Sequence, residues 1–139
     1  MAARLNPYLN FADTSRAAME FYQSVFGGQL DIMTFGQFGA PEGVDPEGVM
    51  HAYLETDLGF ELMASDLPPG MEPTTGSGSV TCSISGDDTE ALTGYWEQLS
   101  AGGQVTTPLE TQMWGDTFGS CVDRFGVPWL VNIAGAPAG

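Results

Sequence analysis

Apolar and polar positions follow one another along this chain in an order that is written twice. Residues 5–11, LNPYLNF, have strand character, and residues 14–26, TSRAAMEFYQSVF, bring Ala17, Met19 to Phe21, Ser24 and Val25 round near the helical period. Residues 29–36, QLDIMTFG, alternate again through Leu30 and Ile32 and predict a second strand. Residues 49–66, VMHAYLETDLGFELMASD, predict a hairpin. A three-residue loop Asp57-Leu58-Gly59, with Gly59 left-handed, sets Thr56 opposite Phe60. That register gathers Met50, Ala52, Leu54, Phe60, Leu62 and Ala64 on one apolar face. His51, Tyr53, Glu55, Glu61, Met63 and Ser65 fall on the other, and a slip of one residue would mix the two sets.

The same order then recurs as a strand at 79–85, a helix at 88–101 and strands at 103–111, 116–123 and 127–133, with Gly126 standing where Gly59 stood. An offset of 75 residues superposes Asp13-Thr14 on Asp88-Thr89, Gln23 on Gln98 and Gly27-Gly28-Gln29 on Gly102-Gly103-Gln104, and sets Phe21 on Trp96. Both copies are helix punctuation: an Asp or Thr able to accept from the free N–H groups of the first turn, then glycines that end the helix. Each half therefore reads βαβββ. The expected organisation is a first module at 1–66, a Pro/Gly/Ser/Thr-rich linker at 67–78 and a second module at 79–139, one compact domain overall. Residues 37–48, QFGAPEGVDPEG, read as a mobile surface loop, placed to act as a lid over a pocket.

At 139 residues, 42% of them hydrophobic, the chain can build a real core. Eighteen acids face three arginines and no lysine, for a formal charge of −15. Such a surface repels the nucleic-acid backbone and anionic membrane, so neither is expected as a partner. No apolar run approaches eighteen residues and no charged-then-apolar leader is present, which makes cytoplasmic localisation the default expectation. Cys82 and Cys121 lie in apolar strands without CxxC spacing and read as reduced packing residues.

The stretches FYQSVFGGQL, GVMHAYLE, FELMASD and WGDTFGSCVDRFGVPWLVNI, spread over nearly the whole chain, resemble the vicinal oxygen chelate superfamily of glyoxalase I, bleomycin-resistance proteins and extradiol dioxygenases. More narrowly they resemble its PhnB-like branch, often labelled 3-demethylubiquinone-9 3-methyltransferase-like. The resemblance implies an α+β fold in which two βαβββ modules in tandem form a U-shaped mixed sheet around a cavity, and a homodimer. It also implies ligands for a divalent metal on the first and last strands of each module. Here Glu61 matches the family's carboxylate, but strand 5–11 has no His, Glu or Gln, strand 79–85 offers only Cys82, and strand 127–133 offers only Asn132. No cofactor is therefore expected, and a metal at a non-standard site is the minority reading. The methyltransferase label lacks a glycine-rich loop for a nucleoside cofactor, and GDTFG at 115–119 has no strand-loop-helix context to make it one.

The candidate site is then the polar face of the first hairpin. His51 changes charge near neutral pH, and Glu55 opposite Glu61 is a carboxylate pair that, when buried, holds a proton. Glu61 and His51 are the candidate catalytic residues. Tyr8, Tyr53, Glu55, Met63 and Trp114 are the candidate ligand contacts, since small-molecule sites are mostly apolar with few polar anchors. Phe118 and Trp129 serve the core as readily, and the second hairpin's register turns Trp129 towards the helix with Val127 and Val131. The expected function is binding of a small molecule in the sheet cavity. The alternative is a glyoxalase- or dioxygenase-like enzyme, using either an altered metal site or metal-free acid-base chemistry at Glu61 and His51.

Overall fold

The computed structural model describes residues 3, 5–67 and 80–135. The expected linker at 67–78 lies almost wholly outside them. The chain divides into two compact units, Met1–Pro73 and Thr74–Gly139. Each is a βαβββ module with its own four-stranded mixed sheet.

The first unit runs β1 (Tyr8–Phe11), α1 (Ser15–Phe26), β2 (Gln29–Thr34), a short 3-10 helix (Phe35–Phe38), β3 (Val49–Glu55) and β4 (Glu61–Asp66), in sheet order β1-β4-β3-β2. β1 lies parallel to β4 and the other pairs are antiparallel. The hairpin register is the expected one: Leu54 faces Leu62, Glu55 faces Glu61, Thr56 N–H donates to the Phe60 carbonyl, and Gly59 has φ 91°. Ala52, Leu54, Leu62 and Ala64 are buried against α1.

Four expectations need correction. The first strand starts at Tyr8, not residue 5. Pro7 accepts from Met63 N–H but has no N–H to return, so the ladder cannot extend back through it. The buried stripe of α1 is Ser15, Ala18, Met19, Tyr22, Val25 and Phe26, while Ala17, Glu20 and Ser24 are exposed. Those buried positions follow the three-then-four spacing of a single helix face. Thr14 makes no side-chain cap; Asp66, at the far end of β4, accepts from Ser15 N–H at 3.0 Å instead. Finally, the pairing of β2 with β3 shifts register between Met33 and Thr34, so that Val49 rather than Met50 occupies the core. This bulge resets the alternation at the start of β3.

The second unit runs β5 (Cys82–Gly86), α2 (Thr89–Ser100), β6 (Gln104–Thr111), β7 (Thr117–Val122) and β8 (Pro128–Ile133), in sheet order β5-β8-β7-β6. Here the expected cap is made: the Asp88 side chain accepts from Ala91 N–H at 3.1 Å. Leu92, Trp96 and Leu99 of α2 pack over Trp129, Val131 and Cys121. Gly119 gives Trp96 its room, because a Cβ there would sit 2.9 Å from the indole. Strand β6 forms one edge of this sheet. Its pairing with β7 is irregular between Val105 and Thr107 and again between Thr107 and Glu110, the second break spanning Pro108.

The repeated Gly-Gly has two separate causes. The first glycine of each pair, Gly27 and Gly102, takes positive φ at 71° and 77°. The second, Gly28 and Gly103, lies flat against a neighbouring strand end, where a Cβ would overlap the Glu55 or the Val122 carbonyl oxygen. Both requirements recur because the helix docks in the same way in both modules.

Cys82 and Cys121 each face Trp129, one from β5 and one from β7. Two strand spacings, about 10 Å, separate their backbones, beyond the roughly 7 Å a disulfide spans. Burial first, and the nearby Asp123 charge second, raise both thiols, Cys121 to about 11. At neutral pH the thiols are protonated in the folded and unfolded chain alike, and the shift leaves stability unchanged. Above the ordinary value of 9.0 the unfolded chain ionises Cys121 while the folded chain cannot, so stability falls as pH rises from there to about 11. Cys121 should accordingly resist a thiol reagent at pH 8 until the protein unfolds; rapid labelling of the native chain would contradict its burial.

Candidate functional site

Helix α1 covers one face of the first sheet, and the opposite face carries the residues singled out in the sequence. Neighbouring strands set Tyr8 beside Met63, Met63 beside Tyr53, and Tyr53 beside Asp31, a continuous row across all four strands. His51 lies two residues from Tyr53 along β3 and therefore points to the same side. Tyr8 and His51 reach across β4 to one another: the phenol oxygen and Nδ1 are 3.1 Å apart, and the rings stack at 5.7 Å with an interplanar angle of 29°. Tyr8 remains 46% exposed and His51 half-buried, so the pair is presented rather than packed away.

The two opposed carboxylates have different surroundings. Glu55 ends β3 beside the turn and is exposed, whereas Glu61 opens β4 and is only 7% exposed. Burying a carboxylate to that degree is costly unless it is compensated, which makes Glu61 the distinctive acid of this face. Met63 and Tyr53, both half-buried, supply the apolar ground between Glu61 and the Tyr8–His51 pair.

Trp114 belongs to the second unit, in the turn between β6 and β7. It is 61% exposed and meets Phe118 edge-on at 6.4 Å. Trp129, by contrast, is buried, with its indole N–H donating to Asp123 at 2.8 Å. Asn132, the one side chain of the last strand weighed as a metal ligand, gives its amide N–H to Asp116 at 3.1 Å. That bond, after the stronger contribution of Gly135 N–H, holds the Asp116 carboxyl below its usual range.

Among the described residues, no three His, Cys, Asp or Glu side chains converge in a way that would hold a metal ion. Glu61, at the position that resembles the chelate carboxylate, thus lacks the companions such a centre needs, and these side chains do not fit it. Among the described residues, no helix is long and apolar enough to cross a membrane.

Two βαβββ units with this strand order are accompanied by a direct sequence match. The family model of the glyoxalase/bleomycin resistance protein/dioxygenase superfamily matches residues 4–131. The chain belongs to this superfamily. It is 28% identical to protein YjdN of Escherichia coli K12, an alignment covering 93% of this chain and 94% of that one. A crystal structure of protein PA1353 from Pseudomonas aeruginosa has a TM-score of 0.82 at 35% identity, covering 96% of this chain and 98% of the other. A Bacillus cereus PhnB protein, described as a putative 3-demethylubiquinone-9 3-methyltransferase, has a TM-score of 0.74 at 22% identity over 95% of this chain and 100% of that one. That last likeness is one of fold, and it agrees with the PhnB-like resemblance of the sequence.

Sequence reasoning singled out Tyr8 and His51 separately but missed their bond, because the parallel pairing of β1 with β4 joins segments more than fifty residues apart. It missed Asp66 altogether. The signal was an acid ending an apolar strand, where a solvent-facing side chain is the ordinary reading.

Proposed function

We propose that the polar face of the first sheet binds a small, flat organic molecule, anchored by the Tyr8–His51 pair. The observation that carries this reading is the hydrogen-bonded, stacked and partly exposed geometry of that pair. With the phenol donating to Nδ1, His51 holds its remaining proton on Nε2, free to donate to a carbonyl or carboxylate of the ligand. Tyr8 offers an aromatic face, Met63 and Tyr53 an apolar bed, and Glu61 an acceptor for a ligand hydroxyl or amine. A polar anchor set on an apolar ground suits binding or sequestration, and the lack of fit to a metal centre supports that reading over a metal-dependent one.

The second reading is metal-free acid-base catalysis, and the burial of Glu61 favours it. A buried carboxylate on the same sheet face as an imidazole can take a proton from a carbon acid long enough to reach both, with His51 donating to a ligand oxygen. Thermal-shift screening with aromatic keto acids and their hydroxy analogues separates the two. A ligand at about 100 times its Kd adds about 2.7 kcal/mol to the folded state. Binding should raise Tm in the wild type and in Glu61→Gln, and should vanish in the Tyr8→Ala, His51→Ala double variant. If a bound keto acid exchanges its α-proton for deuterium, and Glu61→Gln stops that exchange, the catalytic reading replaces the binding one. Retention of the shift in the double variant would remove the anchor from both.

A further inference from the structure

The first unit has a concavity on the side of the sheet that α1 covers, away from the Tyr8–His51 face. It is a pocket of about 560 Å³ between the exposed side of α1 and the loop that follows the 3-10 helix. That volume lies within the range of small-molecule sites. None of the residues of the proposed ligand face lines it.

Its walls are fixed without a ligand. Asp66, at the pocket edge, spends one carboxylate oxygen on Ser15 N–H and the other on Val49 N–H, at 3.0 and 2.9 Å. The loop is closed at its base by Phe35 N–H to the Gly48 carbonyl and Gly36 N–H to the Pro46 carbonyl. Asp45 straps its outer end by accepting from Glu47 N–H with its side chain and from Gly48 N–H with its carbonyl. Gly48 lies against the Phe35 ring, where a Cβ would come within 3.2 Å, so the ring is held in place as a wall. Behind the same helix turn lies Ser15 Oγ, a buried hydroxyl with no hydrogen-bond partner.

The lining combines two characters. Phe35, Val44, Val49 and Leu67 make an apolar wall and floor. Asp13, Glu20, Asp45, Glu47 and Asp66 surround it with five carboxylates against the single guanidinium of Arg16. These acids do not converge three together as a metal site would require. They are spread round a cavity that has an aromatic wall. A compact divalent ion needs oxygen donors at one point, whereas an organic ammonium with an apolar body needs a hydrophobic slot with negative charge round its mouth.

We infer that this pocket binds an arylalkyl ammonium compound, its ring against Phe35 and its charged nitrogen in the negative field of the carboxylates round the mouth, Glu20 and Glu47 among them. The site is separate from the Tyr8–His51 face and does not depend on it. A chain with a formal charge of −15 attracts any cation weakly, so the pocket is distinguished by selectivity for shape and by the position of the effect.

The test is isothermal titration of the intact chain with phenethylammonium, in about 0.15 M salt, where charges beyond about 8 Å are screened. The neutral 2-phenylethanol and Mg²⁺ serve as comparison probes. The expected result is one saturable site for phenethylammonium, with at least about a tenfold preference over the alcohol. Glu20→Gln with Glu47→Gln, both at exposed positions that folding does not require, should lower its affinity about tenfold, and so should Phe35→Ala. Glu110→Gln in the second unit should leave it unchanged, as should His51→Ala, which disables only the other face. The inference is overturned if no saturable site is found, if alcohol and ammonium bind alike, or if Glu110→Gln costs as much as the pocket pair. Displacement of phenethylammonium by stoichiometric Mg²⁺ would also overturn it, in favour of a metal.

Discussion

Replacing Asp123 with alanine should cost the protein about 3–5 kcal/mol of stability. The carboxylate is 3% exposed and accepts from Phe125 N–H and Val127 N–H with one oxygen and from the Trp129 indole with the other. Alanine would orphan those donors in a site too enclosed for water to replace the carboxylate freely, and would free the indole that α2 packs upon. Asn keeps one acceptor oxygen, so Asp123→Asn should cost less than Asp123→Ala. Urea unfolding followed by tryptophan fluorescence measures both. A loss below about 1 kcal/mol for the alanine variant would mean that the turn holds itself without the carboxylate.

The second large effect separates the two causes of the glycine pairs. Gly103→Ala drives a methyl group into the Val122 carbonyl at a backbone conformation any residue adopts, and should cost about 1–3 kcal/mol. Gly28→Ala meets the Glu55 carbonyl and must in addition hold φ at 105°, so it should cost more. Gly59→Ala has open space round its Cβ and pays only for φ 91°, about 1–2 kcal/mol. The order Gly28, Gly103, Gly59 in urea midpoints is the expected outcome. Losses at Gly28 and Gly59 with none at Gly103 would mean that backbone conformation alone explains the repeated glycines.

Legibility in the sequence followed the range of the forces involved. The 49–66 hairpin was readable in register because strict alternation and a left-handed glycine are local signals, and Glu55 does face Glu61. The same locality gave Asp88 as a cap. Thr14 deceived because the acceptor for its helix arrives from Asp66, fifty-one residues beyond Ser15, and no local pattern announces a cap of that kind. Val49 displaced Met50 from the core for a similar reason, since a bulge is a property of two strands together. The candidate face was legible as a set of residues. The meeting of Tyr8 with His51 was not, as it depends on β1 lying parallel to β4, which alternation along either strand does not specify.

The irregular edge of the second sheet bears on how the chain behaves in company. A strand of eight residues with one free side is a template on which another molecule's strand can grow, and β6 is such a strand. Pro108 has no N–H to offer a newcomer, and the register breaks before and across it shorten any ladder to a few rungs. Intermolecular sheet growth, the route to fibrous aggregates, is thereby stopped within the strand most exposed to it.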